Sequence, residues 1–510
     1  MIQTAGLISV ALLLTMVGMR LASVKARQVL ILAASYGLYA SWGIDFLIIL
    51  IVSSLVNYVC GEALRRKVTT LRLCIGVACN LLPLAFFKYL PALLVLEGAG
   101  SWEYDFAHQI IMPIGMSFWT FQGLSYLFDI YYEEELDPSL LEFCLYMAFW
   151  PTAVSGPVCR LPKILPQFRQ LSPFSWEDLS VGSLRVVQGV MMKFVLAHIL
   201  ESGWQAGEGV SAGFDHMKGG WGGIDVWLLG IGFGFLLFFD FAGYSHMVIG
   251  IARVCGIRLP ENFDRPFLST TPSIFWTRWH MSLSSWIRDY VFNPLAAAGR
   301  RYSWWPYMAF VISMALFGLW HGAKWTYIIY GVYHGVVLVL HRVGQQLKRR
   351  IPVRLPKSGG AFLSWGATFL LMAVGFIFFR ANDLTQAWTM LGTIFTPAAY
   401  GHFAMPRSFY ALIVLSAVGY FGVIAGQSIL LAWRERYRVA QNEQGAQTAV
   451  ARFGFIGNCT VAIGRVCEFL VATLWWWFAP ALSVLAAYVG LVIYTRESVI
   501  AITPFIYTLF

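Results

Sequence analysis

Long apolar runs recur from one end of this 510-residue chain to the other, and they constrain its fold more than any other feature. Hydrophobic residues make up 58% of the chain and charged residues only 12%. An ordinary soluble domain carries roughly 25% charged residues. No single soluble core could absorb so much apolar surface. The sequence therefore predicts a polytopic integral membrane protein.

The apolar runs indicate helices rather than barrel strands. Membrane barrel strands alternate apolar and polar residues over about ten positions, and these runs do not alternate. A bilayer core of about 30 Å needs about 20 residues of helix. The candidate spans on this criterion are 5–20, 28–44, 46–63, 73–96, 108–131, 142–158, 180–200, 224–254, 303–320, 325–341, 360–380, 408–432 and 468–494. Several are short or interrupted, so we expect an all-α fold with about eleven transmembrane helices and some re-entrant ones around a central tunnel.

The chain is predicted to be a single membrane domain, residues 1–510, with a motif-rich core at 100–345 and a C-terminal helical extension at 408–510. Residues 5–19 are preceded by no basic residue and followed by several, which favours a first transmembrane helix over a cleaved signal peptide. The eight cysteines form no CxxC pair and no cluster with histidine, so no metal site is predicted.

Basic residues concentrate in a few loops, which predicts the orientation in the membrane. Residues 20–27, 65–72, 341–357 and 433–452 hold much of the Lys and Arg, and the positive-inside rule places them in the cytoplasm. The acidic segment 97–107 then lies on the opposite side. Topology alone can explain the net charge of +10, so it requires no nucleic-acid partner. A second interpretation adds attraction for an anionic cytoplasmic substrate such as a coenzyme A thioester.

Ionisable residues inside apolar spans are costly and usually functional, and three segments contain them. The first is 113–131, with Gln122 and Asp129, followed by a helix-breaking stretch at 149–160. The second is 240–250, with Asp240 and His246. The third and most informative is 275–341.

Within the third segment, FWTRWHMSLSSWIRDYVF (275–292) cannot be a simple lipid-facing span, because it holds two arginines, a histidine and an aspartate. As a continuous helix it would place Trp276, His280, Leu283 and Ile287 on one face. A re-entrant or interfacial helix that lines a cavity fits this pattern. The alternative for His280 is a packing histidine that is hydrogen-bonded to a neighbour.

His321 follows in FVISMALFGLWHGAKWTYIIYGVYHG (310–335), between two apolar runs. Gly318 and Gly322 form one GxxxG pair beside it, and Gly331 and Gly335 form another; such spacing lets helix backbones approach closely. The flanking glycines also leave room for a substrate. From spacing alone, catalytic and structural roles for His321 stay equally open. His334 and His341 are interpreted as structural.

These residues carry a resemblance. RWHMSLSSWIRDY (278–290) and WHGAKWTYIIYGVYHG (320–335) resemble the two histidine motifs of the membrane-bound O-acyltransferase family, in particular its bacterial branch of alginate O-acetyltransferases and teichoic acid D-alanyl transferases. Further similar stretches run in family order over nearly the whole chain: PIGMSFWTFQGLSYLFDIY, SGPVCR, DFAGYSHMVIG, GFIFFRANDLTQAWTML and the C-terminal PFIYTLF.

The resemblance implies a catalytic His321 and a second required residue, His280, in a tunnel that joins the two membrane faces. Neutral imidazole can take the proton of a hydroxyl that attacks a thioester. Arg278 or Asp289 would help His280 to position the donor or polarise its carbonyl. The predicted supporting or substrate-binding residues are Arg278, Ser284, Asp289, Trp320, Gln122 and Asp240.

Two departures from the family pattern concern His246, where relatives often carry Asp, and 293–301, where they often have a Gly-Gly-Asn-Arg run. The extension at 408–510 favours the polysaccharide acetyltransferases over the shorter D-alanyl transferases. The expected reaction moves an acetyl group from cytoplasmic acetyl-CoA, used as a substrate with no bound cofactor, to an exported polysaccharide or a periplasmic acyltransferase partner. Accessory periplasmic or membrane proteins and a bacterial inner-membrane location are expected with it. The alternatives are transfer of D-alanyl or another acyl group to a cell-wall polymer, or a transporter or flippase.

Overall fold

The computed structural model describes residues 23–96, 101–132, 135–171, 175–204, 207–215, 220–350 and 357–443. Within these ranges the chain is helical and contains no strand, which confirms the all-α prediction. The helices of the first half are α1 Val24–Trp42, α2 Ile44–Arg66, α3 Thr70–Lys88, α4 Leu90–Leu96, α5 Ser101–Gln109, α6 Met116–Tyr131, α7 Leu140–Ala148, α8 Trp150–Ala153, α9 Leu161–Arg169, α10 Trp176–Val190, α11 His198–Ser202 and α12 Val210–Asp215.

The helices of the second half are α13 Gly223–Val254, α14 Pro272–Arg278, α15 Met281–Ile287, α16 Asn293–Ala298, α17 Trp305–His321, α18 Trp325–Arg350, α19 Lys357–Arg380, α20 Leu384–Ile394 and α21 Arg407–Glu443. Two π-helical segments, Met191–Ala197 and Arg288–Phe292, join α10 to α11 and α15 to α16. Short 3₁₀ turns lie at Pro266–Leu268 and Pro397–Gly401.

Seven helices in the described part of the chain are long and apolar enough to cross a membrane. They agree with the predicted spans at 46–63, 73–96, 180–200, 224–254, 325–341, 360–380 and 408–432. The predicted span 142–158 is wrong, because the chain there forms only α7 and α8, which the bend after Ala148 separates. The predicted spans 5–20 and 468–494 lie outside the described residues.

One helix, α13, forms the centre of the bundle. In an apolar stretch of 18 residues of α13, 83% of the residues are buried, against 22% in the corresponding stretches of α2 and α3. A helix that is apolar on all sides and covered by protein belongs in the interior of a membrane bundle, whereas the outer helices turn apolar side chains to lipid. Residues on α13 are therefore placed to meet several other helices.

Small residues let α10 pack closely on α13. A methyl group at Gly182 would lie 2.5 Å from the carbonyl oxygen of Gly250, and one at Gly189 would lie 2.4 Å from that of Gly243. Just beyond this contact, Lys193 of the π-helical segment forms a buried ion pair with Asp240 of α13. Close backbone packing and a paired charge are both favourable between helices in lipid.

Helices α17 and α18 form a tight antiparallel hairpin, as the glycine spacing predicted. A methyl group at Gly318 would lie 2.1 Å from the carbonyl oxygen of Tyr327, and one at Gly331 would lie 2.0 Å from that of Met314. Gly322, in contrast, belongs to no helix face. It follows the last residue of α17 and ends that helix.

The chain divides into two compact units; the described residues up to Phe409 belong to the first, and the second begins at Tyr410. This division lies within α21, close to the start of the predicted extension at 408. Every predicted site residue belongs to the first unit. Of the second unit, the described residues form the remainder of α21.

Candidate active site

His321 is the last residue of α17 and is buried among aromatic rings. The ring centroids of Phe317, Trp320 and Phe379 each lie 4.8 Å from the centroid of its imidazole, and Tyr327 completes the surround at 6.1 Å. Rings at these distances exclude bulk water and hold the imidazole in one orientation. His321 therefore sits in a dry pocket at the closed end of the α17–α18 hairpin.

His280 lies at a break in the chain rather than on a helix face. Its φ angle is 41°, in the left-handed region, and it separates α14 from α15. The predicted common face of Trp276, His280, Leu283 and Ile287 is therefore wrong, since no continuous helix joins them. A tertiary contact holds this break in the helix: the amide of Met281 donates to the carbonyl of Asn262 (2.8 Å), which lies outside the 275–292 segment.

The side chain of His280 is buried, and its ring nitrogens make no hydrogen bond within the described part of the chain. The ring of Phe241 on α13 packs against the imidazole at 4.6 Å. A left-handed conformation at a residue other than glycine costs roughly 1–2 kcal/mol and is concentrated at functional sites. The segment around His280 is linked to His321 through aromatic rings: Trp276 packs against Phe317 at 5.3 Å, and the Phe317 ring contacts the His321 imidazole.

A cavity of about 540 Å³ leads toward these histidines. Along α17 it follows Phe310, Ser313, Met314 and Phe317. Its opposite wall is the 275–292 segment, as the sequence predicted: Trp276, Thr277, Met281, Ser282, Ser284, Ser285, Ile287, Arg288 and Phe292. The cavity does not include His321. It ends at Phe317, whose ring contacts the imidazole.

The charged residues that line the cavity are Lys163, Glu261 and Arg288. Phe310 and Leu338 also line it, and Arg342 lies over the Phe310 ring at 5.8 Å. The end of the cavity at Phe310 therefore lies beside the part of α18 that leads into the predicted cytoplasmic loop 341–357. Residues 351–356 of that loop lie outside the described residues.

Asp289 belongs to an ion-pair cluster. Its carboxylate accepts hydrogen bonds from Arg160 (2.8 Å) and from Arg288 (2.8 Å). Burial raises the pKa of this carboxyl, but the hydrogen bonds from Arg288 and Arg160 outweigh burial and hold the pKa below its ordinary value. In the described part of the chain Asp289 is therefore engaged by these arginines, and neither ring nitrogen of His280 bonds to it.

The Asp289 cluster joins two other regions that the sequence singled out. Arg160, from the SGPVCR stretch, also lies over the ring of Tyr290 at 4.8 Å, and the hydroxyl of Tyr290 donates to Asp129 of α6 (2.5 Å). Nearby, Ser282 accepts from the amide of Val158 (2.9 Å). The first polar segment, 113–131, and the helix-breaking stretch at 149–160 therefore both contact the 275–292 segment.

The other predicted supporting residues are spread around the histidines. Trp320 is adjacent to His321 and packs against Phe121 (5.4 Å), while Ser284 lines the cavity and donates to the carbonyl of Trp279 (2.9 Å). Gln122 is buried on α6, and its side-chain amide has no hydrogen-bond partner among the described residues.

Two predicted residues lie outside this immediate group. Asp240 is paired with Lys193 at the α10–α13 contact. Arg278 is half-buried, and its backbone carbonyl accepts a hydrogen bond from the amide of Asp264 (3.0 Å).

Sequence reasoning missed Lys88, although the signal for it was present. Lys88 is an ionisable residue inside the predicted span 73–96, the same feature that identified the other polar positions. It is buried at the end of α3, and its ammonium donates to the backbone carbonyl of Trp320, directly before His321. Among the described residues no group of histidine, cysteine and carboxylate side chains could hold a metal ion.

Comparison with known proteins gives concordant matches. Residues 116–380 match the model of the membrane-bound O-acyltransferase family. The chain is 33% identical over 387 residues to a probable alginate O-acetylase of Pseudomonas aeruginosa. The aligned region covers 73% of this chain and 70% of that protein. It is 28% identical over 394 residues to a peptidoglycan O-acetyltransferase of Helicobacter pylori (70% and 72%). It is 34% identical over 258 residues to a teichoic acid D-alanyltransferase of Streptococcus thermophilus (48% and 60%).

Proposed function

This chain belongs to the membrane-bound O-acyltransferase family, and from that premise we propose that it moves an acetyl group from cytoplasmic acetyl-CoA to a hydroxyl on the other side of the membrane. The acceptor is an exported polysaccharide or a periplasmic acyltransferase that modifies one. The chain is a multi-pass membrane enzyme, and we place it in a bacterial inner membrane. Membership of an enzyme family sets aside the transporter or flippase alternative.

The observation that carries the proposal is the course of the cavity. It begins beside the basic end of α18 and ends at Phe317, in contact with the imidazole of His321. A thioester whose acyl end reaches Phe317 would need only a rotation of that ring to meet the histidine. The aromatic surround of His321 would then limit attack by water on the thioester.

In the proposed mechanism His321 is the general base. It takes the proton of the acceptor hydroxyl while the hydroxyl oxygen forms a bond to the thioester carbonyl carbon. The carbon–sulfur bond breaks, and the proton passes from the imidazolium to the departing thiolate. The ring nitrogens of His280 have no partner among the described residues, so one of them is available to donate to the carbonyl oxygen as negative charge develops there.

The donor enters, in this proposal, at the cavity end beside Phe310 and Arg342; Lys163 also lines the cavity, and Glu261 there is paired with Arg185. Coenzyme A is a polyanion through its phosphates, and a positive potential raises its local concentration at the entrance. The positive-inside rule places this end in the cytoplasm, where acetyl-CoA is made. Accessory proteins are expected on the opposite side, where the acceptor is presented.

The names of the relatives support an acetyl group and a polysaccharide acceptor. Two of the three relatives named above are O-acetyl transferring proteins, directed at alginate and at peptidoglycan, and each match covers at least 70% of this chain. The D-alanyltransferase match covers 48% of it. Transfer of D-alanyl to a cell-wall polymer is therefore the second candidate.

The test uses purified protein in lipid nanodiscs with radiolabelled acetyl-CoA and, as acceptors, alginate oligosaccharides and peptidoglycan glycan fragments. We expect release of free coenzyme A and labelled acceptor, and a loss of about 10²- to 10⁴-fold in the His321→Ala variant. His402→Ala, at an exposed histidine far along the chain, is the matched control. Near wild-type transfer by His321→Ala would contradict the assignment. Turnover of a D-alanyl thioester but not of acetyl-CoA would favour the second candidate.

A further inference from the structure

The helix that carries His321 ends inside the protein, and its last carbonyl groups need partners there. The final four carbonyls of a helix have no partner within it. Water is scarce in a buried membrane site, so each unpaired carbonyl is costly. The amide of Gly322 donates to the carbonyl of Leu319 (3.0 Å). Further donors come from a distant part of the chain.

Those donors are Lys88 and Tyr89, where α3 ends. The hydroxyl of Tyr89 donates to the carbonyl of Leu319 (3.0 Å), and the ammonium of Lys88 donates to the carbonyl of Trp320. The same ammonium lies 5.2 Å from the centroid of the Trp320 ring. Two consecutive residues therefore contact the backbone of the two residues that precede His321.

The position of Lys88 is chemically demanding. Its side chain is 9% exposed, although Lys is almost never fully buried without a partner. A cation is favourable at a helix C-terminus, because the helix dipole is negative there. Lys88 also lies 232 residues from Trp320, outside the 116–380 region that matches the family model.

We propose that Lys88, with Tyr89, is a positioning residue for His321. Through its hydrogen bond to the carbonyl of Trp320 it fixes the backbone there and so holds the imidazole beside the end of the cavity. This inference rests on the proposed function, in which His321 is the base. Displacing a catalytic group by about 1 Å can cost about 10²-fold in rate. Loss of the hydrogen bond to Trp320, one residue before the base, should therefore lower kcat.

The inference differs measurably from a general role of Lys88 in stability. If Lys88 positions His321, its removal lowers kcat and leaves the KM for acetyl-CoA unchanged, because the donor cavity is lined by other residues. Another long cationic donor should then restore much of the rate. If Lys88 only holds α3 against α17, its removal lowers thermal stability, and the protein that remains folded turns over normally.

The variants are Lys88→Met, Lys88→Arg and Tyr89→Phe, assayed in nanodiscs by release of coenzyme A and normalised to folded protein. We expect Lys88→Met to lower kcat by roughly 10- to 100-fold with the acetyl-CoA KM within about twofold of wild type. Lys88→Arg should recover most of that loss, since its guanidinium also donates to a carbonyl. Tyr89→Phe, which removes one neutral hydrogen bond, should lower kcat by roughly two- to fivefold.

Arg72→Met is the matched control. Arg72 is a cation that donates to backbone carbonyls at the end of a different helix, those of Ala63 (2.7 Å) and Lys67 (3.0 Å). Its removal should leave kcat and KM unchanged. An equal fall of kcat in Arg72→Met and Lys88→Met would overturn the inference, as would a wild-type kcat in Lys88→Met.

Two further measurements keep the outcome decisive. If Lys88→Met fails to fold, the inference is tested with Lys88→Arg and Tyr89→Phe instead. A wild-type kcat in Tyr89→Phe, together with a Lys88→Arg variant that also fails to fold, overturns the inference. The His321→Ala variant separates the two proposals. An active His321→Ala defeats the proposed function itself, whereas an inactive His321→Ala beside a normal Lys88→Met defeats only the positioning role.

Discussion

Phe317 separates the cavity from His321: its side chain lines the cavity, and its ring lies 4.8 Å from the imidazole, centroid to centroid, at an angle of 88°. On the other side the same ring contacts Trp276, 5.3 Å away. One aromatic side chain therefore stands between the space that can hold a donor and the proposed base. Its rotation would connect them.

Replacing Phe317 with Ala should join the cavity to the pocket of His321. We expect acetyl-CoA hydrolysis in the absence of acceptor to rise relative to acyl transfer, because water then reaches the thioester beside the imidazole. The loss of a buried aromatic ring should also lower stability by about 3–5 kcal/mol. Coenzyme A release with and without acceptor measures the ratio. Phe310→Ala, at the far end of the same cavity, is the control, and an unchanged ratio in Phe317→Ala would show that Phe317 is not a barrier.

The left-handed conformation of His280 allows its backbone and its imidazole to be tested separately. Glycine adopts a φ of 41° without strain, so His280→Gly should keep the break between α14 and α15 and relieve roughly 1–2 kcal/mol of strain. We expect both His280→Gly and His280→Ala to lose transfer activity, because both lack the imidazole. Thermal unfolding should show the Gly variant to be the more stable. Activity retained by His280→Gly would mean that only the chain break matters.

The entrance charges predict how the donor binds. Lys163 is exposed and lines the cavity, whereas Lys348 is exposed near the end of α18 and does not line it. Lys163→Glu should raise the KM for acetyl-CoA roughly five- to tenfold at low salt, since one charge pair near a surface is worth about 1 kcal/mol or more. Lys348→Glu should leave it unchanged.

Salt distinguishes steering of the donor from a change in cavity shape. At about 0.5 M salt the KM difference between wild type and Lys163→Glu should shrink, because exposed charges are then screened. A KM that rises in Lys348→Glu and not in Lys163→Glu would instead assign steering to the basic loop 341–357. A wild-type KM in both variants would leave these charges with a role in topology only.

The α17–α18 hairpin depends on Gly331, where a methyl group would lie 2.0 Å from the carbonyl oxygen of Met314. Gly331→Ala should therefore push the two helices apart and lower stability by about 1–3 kcal/mol. Gly344 lies on the same helix, and a methyl group added there would have nothing within 4 Å. Because alanine favours a helix over glycine by up to about 1 kcal/mol, Gly344→Ala should not lower stability. Thermal unfolding in detergent compares the two, and equal melting temperatures would contradict the close packing.

The membrane class, the helical fold and the segments that carry the site could be read from the sequence. Hydrophobicity, helix-breaking residues and GxxxG spacing are properties of short stretches of chain, and their consequences in lipid are strict. The spans at 46–63 and 224–254 and the α17–α18 hairpin are found where those local signals placed them.

The arrangement of the site could not be read in the same way, because it depends on contacts between residues far apart in the chain. The helical periodicity of 275–292 suggested one continuous face, but a hydrogen bond from Met281 to Asn262 holds the break at His280. Asp289 looked like a partner for His280, yet Arg160, 129 residues away, engages it. Lys88, which sequence reasoning missed, is one charge in an apolar span, and only folding places it against Trp320, 232 residues along the chain. The preference of a short stretch for helix and lipid depends on its own residues. The partner of a buried charge depends instead on which elements lie beside it once the bundle has packed.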